Sequence, residues 1–121
     1  MAATVNPVTW FEVHTPDAAR AEGFYGPLFG WKFEPDESGY VVINLGENAA
    51  IGGGIAPVRD GGRPMAVFDV QVDDVPAACT RAEELGGSVL VPPQTVDNGL
   101  AFAYLADVDG NAFGVWKPPG A

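Results

Sequence analysis

The chain has 121 residues, enough for one hydrophobic core and too few for two. Sixteen acids against six lysines and arginines leave a formal net charge of −10, which repels phosphate backbones and anionic lipid headgroups and so argues against nucleic acid and membrane as partners. No apolar run reaches the roughly 18 residues of a spanning helix, and Met1 to Pro7 lacks the basic start and apolar stretch of a secretory signal, so a cytoplasmic protein is expected.

In chain order, Trp10-Phe11-Glu12-Val13-His14 reads as a strand. Thr15 as N-cap and Pro16 at the first helical position open a helix, and Ala21, Phe24 and Leu28 at i, i+3 and i+7 are its expected buried stripe. Gly26-Pro27 is expected to end regular helix, and Gly30 to turn the chain into the extended Trp31-Lys32-Phe33. Tyr40 to Leu45 and Ala50 to Ala56 are strands joined by the turn Gly46 to Ala49. The order then repeats. Val67 to Val72 is a strand, Asp73-Asp74 opens a helix with Ala78, Ala82 and Leu85 inward, and Gly86-Gly87 stops it. Strands follow at Ser88 to Val91, Leu100 to Leu105 and Ala112 to Trp116, the last two joined by the turn Asp107-Val108-Asp109-Gly110-Asn111. The lone cysteine, Cys79, lies in the apolar phase of the second helix and reads as a small core residue.

Gly30 lies thirteen positions after Asp17 and Gly86 thirteen positions after Asp73, so the spacing matches in both halves. The expected class is α+β: two βαβββ modules forming a curled mixed-sheet cup, with one helix per module on the convex side. Module one is 7–57, a linker 58–64 and module two 65–117, all within a single domain 1–121. Neither module could bury its apolar face alone.

The run from Asp17 to Trp31, with Phe24-Tyr25-Gly26 and Leu28-Phe29-Gly30-Trp31, resembles the first-module signature of the vicinal oxygen chelate superfamily, which includes glyoxalase I, bleomycin resistance proteins and extradiol dioxygenases. Val72-Asp73-Asp74, Leu85-Gly86-Gly87, Pro92-Pro93 and Asp107 to Asn111 resemble the second. The resemblance implies metal ligands, His, Gln or Glu, on the inward face of the first, fourth, fifth and eighth strands. On this chain those positions fall at Trp10, within Gly52-Gly53-Gly54, at Val67 and at Gly114, none of which offers a lone pair to a cation. No metal and no other cofactor is therefore expected. A relocated set of Glu12, His14 and Asp69, suited to iron or manganese, is the alternative, although the chain has only one histidine.

Strand parity places Trp10, Glu12, His14, Asp69, Gln71, Phe102, Tyr104 and Trp116 on the concave face. Aromatic walls with a few convergent polar groups suit a small-molecule site, and the aromatics read equally as core filling. Carboxylates at Glu12 and Asp69 need a partner, water or a cationic ligand. Gly52-Gly53-Gly54 reads as a place where a bulky ligand or another backbone approaches, or as a bulge. The resemblance to the bleomycin-resistance branch implies metal-independent binding of a bulky, partly aromatic molecule such as an antibiotic, in a cup shared by a homodimer. The alternatives are a lyase or dioxygenase of the same fold using Glu12, His14 or Asp69, and an accessory module without a small-molecule ligand.

Overall fold

The computed structural model describes residues 5–59 and 62–120, so the start of the N-terminal segment and Asp60-Gly61 of the expected linker lie outside the described residues. The elements are β1 (Val8–Thr15), α1 (Ala18–Phe29), β2 (Lys32–Pro35), β3 (Val41–Asn44), β4 (Gly52–Pro57), β5 (Met65–Gln71), α2 (Val75–Glu84), β6 (Ser88–Thr95), β7 (Ala101–Ala106) and β8 (Ala112–Lys117). The βαβββ order occurs twice, and the class is α+β, as the sequence predicts. Among the described residues no helix is long and apolar enough to cross a membrane.

The chain divides into two compact units: Thr9–Val67, and the N-terminal segment as far as Val8 with the chain from Phe68 onward. In the first, the strand order is β2-β3-β4-β1, with β1 parallel to β4 and the other pairs antiparallel. In the second the order β6-β7-β8-β5 repeats the rule, with β5 parallel to β8. The parallel pair follows from chain order: the helix carries the chain across, three strands meander back, and the last lies beside the first.

Period-two alternation sorts each sheet into a helix side and an opposite face. Phe11 and Val13 of β1 join Val41, Ile43 and Ile55 under Ala18 and Ala21 of α1. In the second unit Val75 and Cys79 of α2 pack on Ala103, Leu105 and Val115. Cys79 is buried and free, and burial, with the Glu83 charge second, pushes its thiol pKa up.

Four local readings are corrected. Asp17, not Thr15, is the N-cap of α1: its carboxylate accepts from the Arg20 amide at 3.0 Å, while Thr15 Oγ1 accepts from the Asp17 amide at 3.1 Å. Asp74 caps α2 in the same way through the Ala77 amide at 2.9 Å, so the repeat counts from Asp74 and not Asp73, and the matched thirteen-residue interval does not hold from cap to turn. Pro27 does not end α1, because its cost falls in the last turn, where the Gly30 N–H reaches Gly26 O at 2.7 Å and Gly30 turns at φ 74°. Finally, Phe24 and Leu28 are 61% and 56% exposed and Leu85 is 60% exposed. The small Ala18 and Ala21 are the α1 residues that pack on the core, and Tyr25 is half-buried where Phe24 is exposed.

Candidate functional site

On the face of the first unit opposite α1, alternation along β1 aligns Trp10, Glu12 and His14. A fourth residue ties them together. Trp10 Nε1–H donates to Tyr40 Oη at 2.8 Å, Tyr40 Oη–H donates to Glu12 Oε2 at 2.8 Å, and Glu12 Oε1 lies 3.0 Å from His14 Nε2. Glu12 and His14 are 8% and 3% exposed. Tyr40 is set by the turn before β3, where Asp36 Oδ1 accepts from Ser38 Oγ at 2.6 Å and from the Tyr40 amide at 3.2 Å. The Ser38 hydroxyl and then backbone amides hold the Asp36 carboxyl below its ordinary value.

The glycine run of β4 makes room for this network. Gly52 lies opposite Trp10, Gly53 opposite Phe11 and Gly54 opposite Glu12 in unbroken register, so there is no bulge. A Cβ would meet the Trp10 indole at Gly52, the Phe11 ring at Gly53 and the Tyr40 phenol at Gly54. The close approach expected of a ligand or a second backbone is made instead by the chain's own aromatic side chains.

The second unit repeats the plan. Asp69, 5% exposed, lies on β5 opposite Gly114 of β8, which faces Tyr104 of β7. A Cβ at Gly114 would meet the Asp69 carboxylate and the Tyr104 ring. In the next row Gln71 faces Trp116, which faces Phe102, and the Phe102 and Tyr104 rings meet at 5.9 Å and 65°. Counted from the caps Asp17 and Asp74, Glu12 and Asp69 are equivalent, as are Trp10 and Val67, and His14 and Gln71. Among the described residues no buried side-chain polar atom lacks a hydrogen-bond partner.

Of the eight predicted residues, Trp10, Glu12 and His14 are thus joined in the first unit, while Asp69, Gln71, Phe102, Tyr104 and Trp116 share one face of the second. Sequence reasoning missed Tyr40 and the role of Gly54. The available signal was the Asp36-Glu37-Ser38 turn, which fixes where β3 begins and so where Tyr40 points.

The metal implied by the superfamily does not fit these residues. Trp10 has only a ring N–H, given to Tyr40, at the first ligand position; Val67 is apolar and buried, and glycines fill the other two. Among the described residues no three His, Cys, Asp or Glu side chains form a group able to hold a metal ion. What remains is a buried carboxylate–imidazole pair, with Glu12 Oε1 and His14 Nε2 within hydrogen-bond reach of each other.

A family model described as a glyoxalase-like domain matches residues 10–116. The "Putative glyoxylase CFP32" of Mycobacterium tuberculosis is 29% identical over 115 residues, covering 89% of this chain and 44% of that protein. The anthracycline biosynthesis protein DnrV of Streptomyces peucetius is 29% identical over 127 residues, covering 89% and 46%. The chain therefore spans less than half the length of these relatives. Among solved structures, methylmalonyl-CoA epimerase from Mycobacterium tuberculosis superposes with a TM-score of 0.66 at 15% identity, covering 98% of this chain and 93% of that one. A glyoxalase/bleomycin resistance protein/dioxygenase superfamily member from Vibrio splendidus gives 0.63 at 12% identity, covering 94% and 100%. These two likenesses show the fold. Since the repeated βαβββ unit and the family match extend over nearly the same residues, the chain belongs to the glyoxalase-like domain family.

Proposed function

We propose that the chain is a metal-independent binding module for a bulky, partly aromatic small molecule, acting in the cytoplasm, with antibiotic sequestration as its use and a second copy closing the site. The observation that carries this reading is the Trp10–Tyr40–Glu12–His14 network, in which Trp10, at the first of the ligand positions that the resemblance implies, spends its ring N–H on Tyr40. The ligand-facing residues are Trp10, Glu12 and His14 in one unit and Asp69, Gln71, Phe102, Tyr104 and Trp116 in the other. The name of the anthracycline-biosynthesis relative supports a polycyclic aromatic ligand. Titration of the wild type and of Trp116→Ala, Glu12→Gln and Asp69→Asn with polycyclic, cationic and neutral compounds, followed by tryptophan fluorescence, tests it. Loss of the aromatic contact should weaken binding by about 2 kcal/mol, and the carboxylate changes should act on cationic ligands only. Sedimentation equilibrium should return a dimer. One equivalent of bound metal by elemental analysis, lost in Glu12→Gln, would overturn the reading.

The 3.0 Å contact between Glu12 and His14 favours a second reading, a metal-free proton-transfer catalyst with this pair as acid and base. Turnover of a bound ligand that vanishes in Glu12→Gln while affinity is kept would select it.

A further inference from the structure

A cleft of about 390 Å³ opens in the unit Thr9–Val67, bounded by the C-terminal end of β1, α1 and the segment from Pro64 to Ala66. Only His14 is common to this cleft and to the hydrogen-bonded network. The walls are mostly apolar: Val13, Ala21, Phe24, Tyr25, Pro64 and Met65. Tyr25 is braced from behind by stacking on Trp31 at 5.4 Å and 19°, and it meets Phe24 edge-on at 5.2 Å and 84°. Phe24 is left 61% exposed at the cleft.

The polar lining side chain that decides the ligand is Arg20. In a chain with sixteen acids and six bases, its guanidinium has no ion-pair or hydrogen-bond partner among the described residues. A guanidinium over apolar, aromatic walls matches a planar anion, because it offers paired N–H donors to a carboxylate while the rings take the rest of the molecule. The size lies at the lower end for ligand sites, so one or two rings fit and a large polycycle does not. The net charge of −10 disfavours polyanions.

We infer that this cleft binds an aromatic monocarboxylate, its rings against Phe24, Tyr25 and Met65 and its carboxylate on Arg20. The cleft shares only His14 with the site proposed above, and the inference does not depend on that proposal.

The test is an NMR titration of the full chain with 2-naphthoate and with the neutral 2-naphthamide, for the wild type, Arg20→Gln and Phe24→Ser. Both positions are exposed, so neither change touches the core. Naphthoate should shift amides within residues 20–25 and 64–66, and Arg20→Gln should raise its Kd about tenfold. Naphthamide should bind about tenfold more weakly than naphthoate to the wild type and be indifferent to Arg20→Gln, while Phe24→Ser should weaken both compounds. Equal binding of acid and amide, an unchanged Kd in Arg20→Gln, or shifts mapping elsewhere would overturn the inference. So would self-association in sedimentation that Phe24→Ser abolishes while naphthoate fails to bind, since a second copy would then be the occupant.

Discussion

The two units share a backbone plan and differ in where they place their aromatic residues. In each, a buried carboxylate on the first strand faces a glycine on the parallel partner strand, Glu12 opposite Gly54 and Asp69 opposite Gly114. Their helices diverge. α2 buries Val75 and Cys79 against its sheet, whereas α1 has no buried residue and leaves Phe24, Leu28 and Phe29 more than half exposed. Around α1 the Tyr25 ring stacks on Phe29 and on Trp31, Phe29 meets Trp31 at a tilt, and Phe11 reaches Trp31 at 5.8 Å. The second helix thus serves mainly to seal a core, and the first carries a surface. The lesson is that a repeated fold preserves the sites that backbone proximity dictates and leaves each helix face free to acquire its own chemistry.

The largest expected effect comes from the shared feature. Gly54→Ala and Gly114→Ala should each destabilise by about 2–3 kcal/mol in urea unfolding, because a methyl would displace the Tyr40 phenol or the Asp69 carboxylate. Gly23→Ala, in α1 with open space around its Cβ, should instead stabilise by roughly 0.5–1 kcal/mol. Tolerance at one of the two strand glycines and not the other would break the equivalence of the units.

The helix contrast predicts the next effect. Val75→Ala should cost roughly 2 kcal/mol through the cavity it leaves, while Leu28→Ala should change stability by less than about 0.5 kcal/mol. A large loss at Leu28, read from the same denaturation curves, would mean that the α1 surface is covered in solution.

Smaller still is Tyr40→Phe, which removes one acceptor from Trp10 and one donor from Glu12. Its cost should be about 1–2 kcal/mol, with a change in tryptophan emission as the Trp10 N–H loses its partner.

The weakest effect concerns the two turns. Asp36 is held below its ordinary value of 3.8 chiefly by the Ser38 hydroxyl, and Asp107 chiefly by the Asn111 side chain. A carboxyl depressed on folding confers stability that is full above its ordinary value and is lost as pH falls through the folded one. The urea midpoint should therefore drop modestly as pH falls below 3.8, and less in Asp36→Asn, whose reference carboxyl is gone. Both turns are exposed, so solvent screening keeps the difference small.

Much was legible from the sequence alone, because it rests on local rules. Strand parity aligned Trp10, Glu12 and His14, turn composition placed Asp107 to Asn111, and the repeated order of elements indicated two βαβββ units of an α+β fold. Cys79 was assigned to the core from helical phase alone. Only the tertiary structure decided which residue caps each helix: Asp17 rather than Thr15 at α1, and at α2 Asp74 rather than the chemically similar Asp73, because its carboxylate is the one that reaches the Ala77 amide. It also decided that Phe24 and Leu28 face outward, because the side a helix buries depends on how closely its small residues let it approach the sheet. The network itself depended on Tyr40, 28 residues from Glu12 along the chain, and on the missing Cβ of Gly54 that admits its phenol. Such a contact follows from the pairing of β3 with β4 and of β4 with β1, a non-local arrangement that no periodicity within a single strand encodes.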